Sequence, residues 1–525
     1  MTSGIHHITA ITRKIQANVD FYVGFLGLRL VKRTAGFEDA QQLHLFYGDG
    51  AASPGSLVTF LAWEDGSLGR VGHGAPSEIS FAIAPDAVGF WLTRALQFNI
   101  KLTGPAQEFG EPVLRLTDPD GIIVKLVGVE DDDSPWVWWP DGGIAEADAI
   151  RRLRGATILS EKPEETADFL TRHMGLKASA AEGSIQRLVS DAGDIIDVRN
   201  ASGFWTAAPG TGTIDHVALR APDRAQVEAV HRALVADNAG EMNMHDRQYF
   251  YSLYVREPGG TLIELASDGP GFATDETIET LGTQLFIPKH FKADHDALRV
   301  MLPQFGLPGE ERVTYRDLPF VHRIHMPENW DGSTLVLLHG TGANETAMLP
   351  FGRKAAPNAM LIGIRGRATD EGYPRFFRRF TQTTFDQKEI MSEAEAFVAF
   401  VEELGPAYGV DPERLAFVGY SNGGNMIGAV MQLYPKLIRK AVLLRSMNVL
   451  EDRPSVDLSG VAVLSLTATD DFYAALAPEL EERLRDAGAD LTTRKLDANH
   501  GIGPEDEDIT RAWLVEKGLA SVAEV

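Results

Sequence analysis

Alternation of apolar and polar positions dominates the first half of the chain, and it recurs in a fixed arrangement. Four segments open with it: GIHHITAIT at 4–12, SEISFAIAP at 77–85, GATILSEKP at 155–163 and TIDHVALRAP at 213–222. Four counterparts close the units: GSLVTFLAW at 55–63, DGIIVKLVG at 120–128, GDIIDVRN at 193–200 and GGTLIELASD at 259–268. Strand side chains alternate between faces, so each segment reads as a half-buried strand. Helix-like stretches such as Val19 to Leu26 and Ala225 to Leu234, followed by short alternating runs, lie between openings and closings. The pattern predicts four βαβββ modules, at about residues 4–63, 74–130, 153–200 and 212–270. Glu130 to Gly143, rich in Trp and acid and broken by Pro135 and Pro140, is expected to be a loop between the second and third modules.

After about residue 285 this pattern disappears. A Pro-bearing stretch, 286–312, is expected to link two domains, 1–285 and 313–525. Beyond it, short continuous apolar runs alternate with helical stretches: TLVLLH at 334–339, AMLIGI at 359–364, LAFVG at 415–419, KAVLL at 440–444 and VAVLSLTA at 461–468. Strands buried on both faces read this way, so an α/β sheet covered by helices should follow the α+β modules.

Composition narrows the chemistry. The chain has 525 residues, more than one core usually serves, and 49 Lys+Arg against 74 Asp+Glu give a formal charge of -25. That charge disfavours nucleic acid and anionic membrane surfaces as partners. Arg375, Arg378 and Arg379 leave room for a local basic pocket, against the plainer reading of such a cluster as a solvated face. There is no Cys, so disulfides and thiolate metal ligands are excluded. With no signal-peptide pattern and no apolar run of spanning length, a cytoplasmic location is expected. The sequence leaves open whether the protein forms a homo-oligomer.

One motif carries nucleophilic chemistry. Gly419-Tyr420-Ser421-Asn422-Gly423 follows an apolar strand and precedes a helix-like run, the setting of a nucleophile elbow. In that architecture an acid and then a histidine follow along the chain. Asp470, just past VAVLSL, is assigned as the acid, with Asp471 as its rival in the same loop, and His500 as the base. The oxyanion hole would use the N–H of Asn422 and one at or near Thr341, with His339 structural in that loop. HGTGANE at 339–345, RGRATDEGYPRFFRRF at 365–380 and GYSNGG at 419–424 resemble carboxylesterase and phospholipase-like α/β-hydrolases associated with quinone and hydroquinone resistance, over most of 313–520. The resemblance implies that the 365–380 segment shapes the pocket, and an ester, thioester or ring-fission product as substrate.

A second constellation emerges when the modules are aligned. His7 lies in the opening strand of module one, His216 in that of module four, and Glu264 in the closing strand of module four. Two imidazoles and a carboxylate form the facial triad that binds non-haem iron(II). Ile79, Lys125, Ile158, Asp197 and Thr59 at the equivalent positions complete no second site. Modules one and four should therefore meet around one metal, and two and three should pair without one. His6, next to His7, should point to the opposite strand face.

GIHHIT, HLFYGD at 44–49, SPGSLVTF at 53–60, TIDHVAL and DRQYFYSLYVREPGGTLIELASDGPGF at 246–272 resemble ring-cleaving dioxygenases of the vicinal-oxygen-chelate superfamily, in the subgroup acting on hydroquinones. The resemblance implies iron ligation by His7, His216 and Glu264, with Mn(II) the alternative metal. It also implies supporting roles for His6, Thr9, Arg247 and Tyr254, and an aromatic substrate with dioxygen. Asp215 departs from the family pattern, standing where some relatives have a histidine. The reading is a bifunctional enzyme of aromatic or quinone degradation. Its alternatives for the first region are a glyoxalase-like metal isomerase and a non-catalytic aromatic-binding module fused to a carboxylesterase.

Overall fold

The computed structural model describes residues 4–130 and 135–520, so residues 131–134 of the expected inter-module loop lie outside the described residues. The chain divides into two compact units, Met1–Ala293 with Phe305–Glu311, and Asp294–Gln304 with Arg312–Val525. The stretch 286–312, expected as a plain linker, is more structured than that. Leu285–Phe286 adds a short strand to the first unit, and the helix His295–Met301 belongs to the second.

The first unit holds two sheets, and the modules pair as the ligand pattern requires. In the nine-stranded sheet, Ile5–Thr12 of module one lies antiparallel to Ile214–Ala221 of module four. Its other edge is parallel to Leu57–Ala62, and Ile214–Ala221 is parallel to Leu262–Pro270. In the eight-stranded sheet, Ala75–Ile83 of module two pairs antiparallel with Arg152–Ser160 of module three. Each module's helix lies between its first and second strands, for example Arg224–Ala236, whose N-terminus is capped by the Asp223 carboxylate accepting from Gln226 N–H.

The second unit is a seven-stranded sheet in which six strands run parallel and only His322–His325 is antiparallel, at the edge. Its central strands are short and apolar because helices cover both faces. Val336, Leu338, Ile362 and Phe417 enter one apolar layer, whereas Leu335, Leu337, Leu361 and Val418 enter the other. From Thr334–Leu338 the chain passes to Met360–Ile364 on one side, whereas from its other neighbour Leu415–Tyr420 it passes to Lys440–Leu444 in the opposite direction. This reversal opens a crevice at the carboxyl ends of the two central strands, where open α/β sheets bind ligands. Among the described residues, no helix is long and apolar enough to cross a membrane.

Candidate functional site

The strand Leu415–Tyr420 ends at that crevice, and Ser421 follows with φ 51° and ψ -113°, a backbone conformation costly for a residue with a Cβ. The turn closes so tightly that a Cβ on Gly419 would lie 2.5 Å from Gly424 N, and one on Gly423 2.4 Å from Leu338 O. Only glycine fits at either flank. Ser421 N–H donates to Leu444 O, and Asn425 N–H donates to Ser421 O as the helix Asn422–Leu433 begins. His500 Nε2 is 3.1 Å from Ser421 Oγ, and His500 Nδ1 is 3.0 Å from Asp471 Oδ1.

The carboxylate that meets His500 is therefore that of Asp471, and the expectation of Asp470 in this position is corrected. Asp470 is the last residue of the strand Ala462–Asp470, pairs with Asn499 after a register shift, and is exposed. The next side chain turns the other way, so the Asp471 carboxylate is 2% exposed, facing His500 and accepting from Tyr473 N–H. Thr341 and Asn422 line the cleft with Ser421. The Asn422 side-chain oxygen accepts from Phe376 N–H, while its buried Nδ2 has no hydrogen-bond partner. His339 is buried and spanned by Gly340 O and Gly366 N–H, a structural arrangement. Arg375 is not on a solvated face: it is buried in the cleft wall, while Arg378 stays half-exposed.

In the first unit, His7 Nε2, His216 Nε2 and Glu264 Oε2 converge. The separations are 3.3 Å between the imidazoles, 3.2 Å from His7 to Glu264 and 2.8 Å from His216 to Glu264. The register accounts for this: Ala218 is opposite Glu264 on neighbouring parallel strands, and Thr9 is opposite His216. Ligands at about 2.1 Å on one face of an octahedron lie about 3.0 Å apart, so the trio fits a single metal ion. The fit has a second sign. Both Glu264 oxygens are buried without a hydrogen bond of proper geometry, although two ring nitrogens crowd Oε2. Among the described residues, this is the one cluster of three such side chains with atoms within 4.8 Å of one another.

Electrostatics follows from that crowding. Burial alone would raise the Glu264 carboxyl, but the His7 and His216 imidazoles outweigh it and hold it well below the usual range. Burial alone would lower His216, yet its bonds to Asp215 and Glu264 raise it to about 9. Asp215 Oδ2 lies 2.7 Å from His216 Nδ1, so the residue that departs from the family pattern orients this ligand from behind. Burial pushes His7 down and His6 to about 3.

His6 does not face away from His7. A register shift between Ile5 and His7 interrupts strand alternation and brings the two Nδ1 atoms to 2.8 Å. Thr9 Oγ1 contacts Thr59 Oγ1, which contacts His44 Nε2. His44 was not singled out in the sequence. The strand register brings it in: Phe46 is opposite Thr59, and two residues along the strand returns to the same face.

A cavity of about 880 Å³ extends from the trio, lined among others by Thr9, His44, His245, Arg247, Phe250 and Tyr254. Arg247 lies over the Tyr254 ring, 5.4 Å from its centroid, and pairs with Glu38. Burial, with the nearby Glu264 charge, pushes the Tyr254 phenol far up, so it keeps its proton. The companion sheet carries different charges at the equivalent positions. There Lys125 is buried among Glu78, Glu108 and Asp197 at 3.3–3.6 Å, a side-chain cation amid the carboxylates.

Residues 4–126 match the Glyoxalase/Bleomycin resistance protein/Dioxygenase superfamily. The chain is 38% identical to MhqO of Bacillus subtilis (strain 168), named as a ring-cleaving dioxygenase, over 59% of this chain and 98% of that protein. It is 30% identical to the chlorohydroquinone/hydroquinone 1,2-dioxygenase of Sphingobium indicum, over 56% of this chain and 94% of that one. It is also 31% identical to MhqD of Bacillus subtilis (strain 168), named as a hydrolase, over 35% of this chain and 93% of the relative. The chain therefore belongs to the family of ring-cleaving dioxygenases within the glyoxalase and dioxygenase superfamily, with a hydrolase related to MhqD fused to it.

Proposed function

We propose that the protein is bifunctional: an iron(II)-dependent extradiol-type dioxygenase opening a hydroquinone-like ring, joined to a carboxylesterase-like serine hydrolase. The observation that carries the first activity is the convergence of His7, His216 and Glu264, with the two imidazoles lining a cavity large enough for a substituted aromatic ring. When bound there, iron(II) supplies the redox coupling between an electron-rich ring and dioxygen.

The chain's own residues set the rest. Asp215 and His6 orient the two imidazoles from behind, and Phe250 flanks His7 with its ring 5.3 Å away, keeping water from that side. Arg247 offers positive charge to an oxygen becoming negative, and Tyr254 holds a proton it can donate as a hydrogen bond. Ring opening beside a hydroxyl-bearing carbon puts both oxygen atoms of dioxygen into the product. The substrate supplies the electrons, so no further reductant is needed.

In the second unit, His500 accepts the Ser421 proton as Oγ attacks the acyl carbon, and returns it to the leaving group as the acyl bond breaks. Water then releases the acid by the same route. The N–H groups of Asn422 and the Thr341 loop would hold the oxyanion.

The test is oxygen uptake by protein loaded anaerobically with iron(II), with methylhydroquinone, chlorohydroquinone and catechol, alongside metal analysis. Wild type should bind one equivalent of metal and consume one dioxygen per ring, and His7→Ala should do neither. Metal uptake without oxygen consumption would favour a glyoxalase-like isomerase, and no metal uptake a binding module. Fluorophosphonate labelling of Ser421, absent in Ser421→Ala, tests the hydrolase.

A further inference from the structure

The crevice beside Ser421 contains a buried cation with no matching partner. Arg375 is 3% exposed and lines the cleft with Ser421, Thr341 and Asn422. Its Nε donates to Phe377 O, but its buried Nη1 has no hydrogen-bond partner. The nearest carboxylate, Glu371, is 3.9 Å from Nη1, beyond hydrogen-bond reach. Glu371 is already committed: Arg379 donates to both its oxygens at 2.7 and 2.8 Å, and the Tyr373 hydroxyl donates to it as well.

The same cleft provides the comparison. Arg445, equally buried, places two nitrogens on the Asp506 carboxylate at 2.8 and 2.9 Å. Buried charge is normally paired in this manner, because leaving it unpaired costs several kcal/mol. Three arginines line the cleft; Asp506 is taken by Arg445 and Glu371 by Arg379, which leaves Arg375 without a hydrogen-bonded carboxylate. The Arg375 main chain is held by a reciprocal pair of bonds with Ala368, and its guanidinium by the Nε bond to Phe377 O. A fixed, desolvated guanidinium with free donors is shaped for a carboxylate.

We propose that Arg375, supported by Arg379, is an anion subsite that makes the Ser421 hydrolase selective for acyl substrates bearing a carboxylate. This rests on Ser421 being the nucleophile of a working hydrolase. Ring opening beside a hydroxyl-bearing carbon leaves a carboxylate on its product, so the fused units would handle the same chemical class.

The experiment compares mono-p-nitrophenyl glutarate with its methyl ester on the full chain, as the ratio of their kcat/KM values. Wild type should favour the acid by about 10–100-fold, the value of a charged hydrogen bond. Arg375→Gln should remove most of that ratio, Arg375→Lys should restore part, and Arg379→Gln should lower it by a smaller factor. Glutarate should also protect Ser421 from a fluorophosphonate at concentrations where sulfate of equal ionic strength does not.

A wild-type ratio near one, or a ratio unchanged in Arg375→Gln, overturns the proposal. Should Arg375→Gln fail to fold, the wild-type ratio and Arg379→Gln decide it. If Ser421 takes no probe, the hydrolase reading fails instead. Calorimetric binding of glutarate, lost or kept in Arg375→Gln, then still decides the subsite.

Discussion

Asp471→Asn should disable the hydrolase while Asp470→Asn leaves it working, although the two residues are adjacent. The Asp471 carboxylate is 2% exposed and receives His500 Nδ1–H at 3.0 Å, whereas Asp470 is exposed at the strand end. An amide in place of the Asp471 carboxylate can present N–H to the ring, favouring the tautomer that leaves Nε2 unable to accept the Ser421 proton. It also removes the charge that stabilises the imidazolium. In serine hydrolases such a change costs about 10⁴-fold in kcat, equivalent to about 5.5 kcal/mol of barrier. The assay is the initial rate of p-nitrophenyl acetate hydrolysis, with the second-order rate of fluorophosphonate labelling as an independent readout. Asp470→Asn should stay within about twofold of wild type, as for a surface change. Equal loss in both variants, or loss only in Asp470→Asn, would refute the geometric assignment.

Three further outcomes test the first unit. Glu264→Gln should abolish stoichiometric iron(II) uptake and the metal-dependent rise in melting temperature, a rise reflecting about 4 kcal/mol at a thousandfold excess over Kd; calorimetry in the presence of metal checks both. Lys125→Met should destabilise the companion sheet by about 3 kcal/mol in urea unfolding, because Glu78, Glu108 and Asp197 lose a buried counter-charge. Asp118, raised to about 7 by burial and by Asp120, binds a proton in the folded state that the unfolded chain has released above pH 4. Stability should therefore fall as pH rises from about 4 to 7, by at most about 1.4 kcal/mol per unit. Asp118→Asn should flatten that slope in hydrogen exchange of the strand Ile123–Gly128.

The modules, the His7, His216 and Glu264 cluster and the turn carrying Ser421 were legible in the chain because each is written in local periodicity or in a contiguous motif. Alternation marks the strands, and a recurring alternation makes His7, His216 and Glu264 comparable across modules before any contact is known. Gly419 and Gly423 declare the elbow because a tight turn excludes a Cβ, a constraint that travels with the local backbone. Tertiary structure decided what depends on side-chain direction where periodicity breaks, and on partners far apart in sequence.

A register shift turned His6 toward His7, and the end of a strand turned Asp471 inward and Asp470 out. Arg375 reads as one of three surface arginines until the fold buries it and commits its neighbouring acid to Arg379. His44 joins the cavity only through pairing with the strand that bears Thr59. Period fixes which face a residue occupies within a regular element. Burial and the pairing of charges are set by distant segments, and no local pattern encodes them.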